Sequence, residues 1–205
     1  MKKFIGVFLA IILIISQSTL VFADKNGANL NLKCKSAVLM DVTSGKVLYE
    51  KNCHEKLPPA SVTKVMTMLL ICEAVESNKI KLTDEVTVSE TASSMGGSQI
   101  FLEPNETQTV DTLLKGIAVA SANDACVAMA EYISGNEEEF VRQMNERAAG
   151  LGMENTHFVD CCGLTDSTDH YTTARDIALM SRELLKHDLI RQFTGIWMDS
   201  LRNGA

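Results

Sequence analysis

A chain of 205 residues with 46% apolar and 22% charged residues has the length of one domain and is too apolar to be intrinsically disordered. Its net charge of −7 at pH 7, with no basic cluster, argues against a nucleic-acid binder and suits neutral or cationic partners.

Residues 1–23 read as a secretory signal peptide. Lys2 and Lys3 form a positive n-region, and Phe4 to Ile15 is a nearly unbroken apolar run. Val21-Phe22-Ala23 then offers small residues where a signal peptidase reads. The competing reading is an uncleaved membrane anchor, for which the run is short. Cleavage would remove two lysines and no acid, leaving residues 24–205 more acidic still. Export permits disulfides, although a domain of this size does not need them. Of the six cysteines, Cys72 and Cys126 sit in apolar helical patterns and read as buried free thiols.

Ser36–Val42 and Lys46–Glu50 flank the turn Thr43-Ser44-Gly45 and predict a β-hairpin. With paired residue numbers summing to about 87, Cys34 would face Cys53 within disulfide reach, and a one-residue change of register would undo this. Leu57-Pro58-Pro59-Ala60 is a stiff lead-in to a helix, because proline fixes φ and suits a helix start. From Ser61 to about Ser77, apolar residues recur at intervals of three and four around much of the circumference, so this helix is expected to be central. Glu85–Ser89 reads as a short strand or extended loop, and Met95–Ser98 as a loop. Further helices are predicted over Thr109–Ala120, Asp124–Gly135, Glu137–Ala149 and Thr173–His187, with loop or extended chain over Thr156–His170.

Ser61 and Lys64 carry the first chemical signal. A serine hydroxyl needs a base, and residues three apart on a helix share a face, so the Lys64 amine can reach the Ser61 oxygen. Burial and the positive helix terminus favour the neutral amine that this role needs. The Ser61 N–H could also serve an oxyanion. Alone, the pattern is equally an N-cap followed by a solvated lysine. The proline lead-in and the apolar helix favour the chemical reading, since they place Ser61 in the first turn and Lys64 near the core. Ser121-Ala122-Asn123 falls between two helices, where a hydroxyl could relay a proton and an amide could hold a substrate. A simple capping turn uses the same residues.

In this order the two motifs, with the hairpin over 37–49, Gly152–Phe158 and His170–Asp176, resemble the serine D-alanyl-D-alanine carboxypeptidases, the low-molecular-weight penicillin-binding proteins. The resemblance implies an α/β (α+β) fold of the β-lactamase/transpeptidase type, with a helical lobe beside an antiparallel sheet that contributes only its first hairpin. It implies Ser61 as nucleophile, Lys64 as base, Ser121 as proton relay to the departing D-alanine, and Asn123 as a substrate-amide contact. The implied partners are peptidoglycan stem peptides ending in D-Ala-D-Ala, and β-lactam antibiotics. No cofactor and no metal are implied.

No Lys-Thr-Gly or Lys-Ser-Gly triplet follows Ser121. In the family this triplet lies on a later sheet strand, so residues 24–205 are expected to be the N-terminal portion of a catalytic domain. Any membrane-anchoring tail would lie beyond Ala205. A β-lactamase is a weaker reading, because no Glu-x-x-Leu-Asn loop follows Asn123 and Ser-Ala-Asn departs from Ser-Asp-Asn. A catalytically incomplete remnant is the reading from another class. Cys161 and Cys162 with His157 and His170 match no common zinc spacing, and the two histidines read as structural hydrogen-bonding residues.

Overall fold

In the first long helix, α1 (Lys64–Glu76), Met66, Leu69, Ile71, Cys72 and Ala74 are buried, and apolar residues occur on every side. A helix with no polar face has to sit inside the molecule. Accordingly, five other helices pack around it: α3 (Val110–Ala120), α4 (Asn123–Ser134), α5 (Glu137–Gly150), α6 (Ala174–Leu184) and α7 (Asp188–Thr194). This computed structural model describes residues 30–200, and the signal-peptide reading of residues 1–23 lies outside them. No helix among the described residues is long and apolar enough to cross a membrane.

The hairpin forms from β1 (Ala37–Met40) and β2 (Val47–Lys51). Met40 faces Val47, but an irregularity between Leu39 and Met40 moves the rest of the ladder to Leu39–Tyr49, Val38–Glu50 and Ala37–Lys51. That one-residue shift takes Cys34 out of line with Cys53, and both are free thiols. The Lys51 ammonium instead donates to the Cys34 carbonyl at 2.7 Å. Arg182 on α6 donates to the carbonyls of Val42 and Thr43 at 2.7 and 2.9 Å, tying the hairpin turn to the helix behind it.

A second antiparallel pair adds to the expected hairpin: β3 (Glu85–Thr87) with β4 (Thr107–Thr109), with Val86 opposite Gln108. β4 gives no sequence signal because Thr-Gln-Thr lacks an apolar alternation. A one-turn helix, α2 (Glu90–Ser93), and a final α7 (Asp188–Thr194) also escape the periodic pattern, being too short to repeat it.

Capping follows the sequence closely. Thr109, Asn136 and Thr173 each accept a main-chain N–H three residues on, at 3.2, 2.8 and 3.1 Å. Arg147 on α5 bridges Glu73 on α1 and Glu183 on α6, with its Nη2 at 2.7 and 3.0 Å from the two carboxylates. The buried Asp124 carboxylate holds a loop to the start of α4, accepting from the N–H groups of Ile100 (3.2 Å), Leu102 (3.0 Å) and Ala125 (2.9 Å).

Asp124→Ala should therefore destabilise the fold by about 3 kcal/mol, since it removes an acceptor shared by three buried donors. Urea unfolding of the two proteins would measure this, with Asp124→Asn expected to lose less.

Candidate active site

The site is built at the N-terminus of α1. Pro58 and Pro59 lack N–H groups, and the Pro59 carbonyl accepts from Val62 N at 3.1 Å. Ala60 takes a left-handed φ of +47°, a conformation that costs a non-glycine residue about 1–2 kcal/mol. Residues Ala60–Thr63 then form a 3₁₀ turn that runs directly into α1. The lead-in thus ends in a tighter turn than the continuous helix expected from Ser61.

This turn leaves Ser61 exposed while Lys64 is 3% exposed. The Lys64 Nζ lies 3.2 Å from Ser61 Oγ and donates to the Cys162 carbonyl at 2.9 Å. The amine is therefore held from two directions, by the hydroxyl it could deprotonate and by a fixed main-chain acceptor. When neutral, such an amine can take the Ser61 proton.

The acceptor belongs to a loop stitched beneath the serine turn. Thr67 Oγ1 donates to the Cys161 carbonyl at 2.5 Å. Asp160 accepts from Cys162 N at 2.9 Å and also from Gly163 N. His170 Nδ1 accepts from Val159 N at 3.0 Å, so the neutral ring carries its proton on Nε2 and donates it to Thr63 Oγ1, 2.8 Å away. Gly163, at φ +81°, lies so close to the serine turn that an added Cβ would sit 1.8 Å from the Ala60 carbonyl oxygen. The structural role expected for His170 holds. The supporting Cys161 and Cys162 carbonyls and Gly163 had no sequence signal, because main-chain groups carry none.

Ser121 and Asn123 form the junction between α3 and α4. Ser121 caps α3 in a left-handed conformation with φ +55°, and no hydrogen bond joins it to Ser61 or Lys64 among the described residues. Asn123 is 4% exposed. Its N–H donates to the Ser98 carbonyl and its Nδ2 to the Gly96 carbonyl, both at 2.7 Å. It therefore anchors the loop over 96–98, where a Cβ on Gly97 would approach its Nδ2 to 2.8 Å. Cys126, one turn further along α4, is fully buried, and burial pushes its thiol pKa well up, with the Lys64 charge opposing the rise. No group of three or more His, Cys, Asp or Glu side chains able to hold a metal occurs among the described residues.

Two outcomes test this architecture. Gly163→Ala should lower the unfolding midpoint clearly, because strain at positive φ adds to the overlap with Ala60; circular dichroism on heating would measure it. Burial holds the His170 pKa below the usual 6.5, with His157 adding to the depression and Asp160 opposing it. The unfolded chain therefore binds a proton that the folded chain refuses. This contribution is fully present above about pH 6.5 and is lost as pH falls through the folded value. Urea midpoints at pH 7.5 and pH 5 should differ by less in His170→Gln than in the parent.

The chain has relatives among known proteins. A family model for D-alanyl-D-alanine carboxypeptidases of the S11 peptidase type matches residues 23–203. D-alanyl-D-alanine carboxypeptidase DacF of Bacillus subtilis (strain 168) is 53% identical over 208 residues, covering all of this chain and 53% of its own length. Among solved structures, D-alanyl-D-alanine carboxypeptidase DacD of Francisella tularensis has a TM-score of 0.75 at 36% identity, covering 78% of this chain and 38% of that one. Penicillin-binding protein D2 of Listeria monocytogenes, in its ampicillin-bound form, has a TM-score of 0.75 at 29% identity, covering 86% and 72%. The chain spans about half the length of the curated relatives it matches. The helical lobe with its small antiparallel sheets is thus part of the penicillin-binding carboxypeptidase fold, and the chain belongs to the D-alanyl-D-alanine carboxypeptidase family of S11 peptidases.

Proposed function

We propose that this chain carries the nucleophile and base of a serine-type D-Ala-D-Ala carboxypeptidase. The observation that carries this reading is the buried Lys64 amine at 3.2 Å from the exposed Ser61 hydroxyl. In the proposed reaction Lys64 takes the Ser61 proton as Oγ attacks the carbonyl of the penultimate D-alanine. Ser121 passes a proton to the departing D-alanine, and water then releases the shortened stem peptide. With its Nδ2 on the Gly96 carbonyl, Asn123 would offer Oδ1 to a substrate N–H. A cleft of about 570 Å³, lined by Lys56, Pro58, Asp166, Ser167, Thr168 and Tyr171 among others, adjoins the lead-in to Ser61 and has room for part of a peptide.

β-Lactams are proposed as second ligands of the same serine, supported by the ampicillin-bound form of the Listeria relative. The signal-peptide reading of residues 1–23 supports a proposed site of action outside the cytoplasm. A second reading, an incomplete binding remnant, is not favoured by the family match and its relatives.

Covalent labelling of the purified chain with a fluorescent penicillin separates the two. The carboxypeptidase reading expects a labelled band that Ser61→Ala abolishes and that Lys64→Ala slows by about 10²-fold or more. A well-folded chain that takes no label would sink it and leave the remnant.

A further inference from the structure

One ring joins the two sides of the Lys64 amine. His170 is 3% exposed and lies between Thr63, the residue before Lys64, and Val159, which precedes Cys162 on the same loop. Its Nε2 is 2.8 Å from Thr63 Oγ1, and its Nδ1 accepts from Val159 N at 3.0 Å. Ser61 Oγ and the Cys162 carbonyl, both hydrogen-bonded to the amine, thus stand on two segments that this side chain links. The ring itself is fixed from elsewhere. Its neighbours Tyr171 and Thr172 pair with His157 and Leu57 through main-chain bonds of 2.8 to 3.0 Å. The Phe158 ring meets it edge-on, with centroids 5.8 Å apart.

We infer, on the Ser61–Lys64 reading, that His170 is a positioning residue for the proposed base: its neutral ring locks the loop carrying the Cys162 carbonyl to the turn carrying Lys64. A contact that only stabilised the fold could lie anywhere. This one lies on the path between the amine and its fixed acceptor. Thr67 on the Cys161 carbonyl and Asp160 on the N–H groups of Cys162 and Gly163 also hold the loop. They keep it in place without the ring, but neither ties it to Thr63. Losing the bonds of the ring lets the carbonyl shift, and a displacement of about 1 Å at a reacting group can cost about 10²-fold in rate.

The lock needs a bare Nδ1. A neutral imidazole has one donor and one acceptor nitrogen, whereas a protonated one has two donors. In acid the Nδ1–H would meet the Val159 N–H head-on. The loop side of the lock then opens while the Thr63 side is kept. The charged and titratable groups around the ring are Asp160 and His157 beside it, Lys56 and Asp166 along the adjoining cleft, and Lys64 next to Thr63. Burial holds the His170 pKa below the usual 6.5, with Asp160 opposing this and His157 adding to it. The opening therefore falls below pH 6.5 and adds to the loss that any general base suffers as it gains a proton.

The test follows the rate of Ser61 labelling by fluorescent penicillin in the full chain from pH 7.5 to pH 5, with circular dichroism showing that each protein is folded. His170→Phe keeps an aromatic ring but neither hydrogen bond, and should label about tenfold slower at pH 7.5. His170→Asn can still accept from Val159 through its amide oxygen, and should recover most of that loss. Between pH 7.5 and pH 5 the parent should lose about tenfold more rate than His170→Asn, which has no ring to protonate. A folded His170→Phe with the parent's rate would overturn the inference, as would superimposable profiles for the parent and His170→Asn. Should His170→Phe fail to fold, the comparison with His170→Asn still decides. A chain that takes no label at any pH counts against the carboxypeptidase reading alone. Amide nuclear magnetic resonance then decides for His170 by itself. The Val159 and Gly163 signals should move together as the parent is acidified and move far less in His170→Asn, and signals that stay put in the parent would sink the lock.

Discussion

The position of one buried amine organises this structure. Lys64 is placed at the start of a helix that is apolar on all sides, and five helices pack against that helix. A polar group in such a place has to be hydrogen-bonded. Its partners are Ser61 Oγ, one turn back, and the Cys162 carbonyl, nearly a hundred residues ahead. The first is local and comes with the turn. The second exists only because the loop over 159–163 is fastened under the serine, so much of the polar chemistry between residues 156 and 173 serves to hold that loop.

The fastening is redundant and of several kinds. Thr67 takes the Cys161 carbonyl, Asp160 takes two main-chain N–H groups, and neutral His170 links Val159 to Thr63. The isolated bridges between Leu57 and Thr172 and between His157 and Tyr171 join the same segment to the proline lead-in and to itself. Gly163 allows the approach to Ala60 that a side chain would forbid. Together these contacts let the backbone of Ala60 keep a left-handed conformation just before Ser61, the kind of local strain that surrounding structure sustains at functional sites.

Opposite this loop, Asn123 links the α3–α4 junction to the loop over 96–98, and Asp124 links it to residues 100–102. Two adjacent polar residues thereby hold one long connection against the start of α4. Asn123 holds the loop over 96–98 twice, through its main-chain N–H on Ser98 and its Nδ2 on Gly96. Ser121 stands at the same junction, with its left-handed backbone turning the chain from one helix into the next.

Local chemistry alone determined a good deal of this protein. Pro58-Pro59 dictates where a helix can begin, and the spacing from Ser61 to Lys64 brings hydroxyl and amine together on one turn. These readings survive folding because the interactions span three or four residues. Contacts made by main-chain atoms across long separations could not be read this way: the Cys162 carbonyl on Lys64, the 1.8 Å limit at Gly163, and the pairing of Thr107–Thr109 with Glu85–Thr87. The hairpin lies between these cases. Its strands and turn were evident, yet the irregularity at Leu39 and Met40 moved the register and kept Cys34 and Cys53 as thiols. Ser61 and Lys64 were thus determined as a pair by sequence, and only the tertiary structure decided what holds the lysine in place, because a carbonyl has no identity until the fold brings it near.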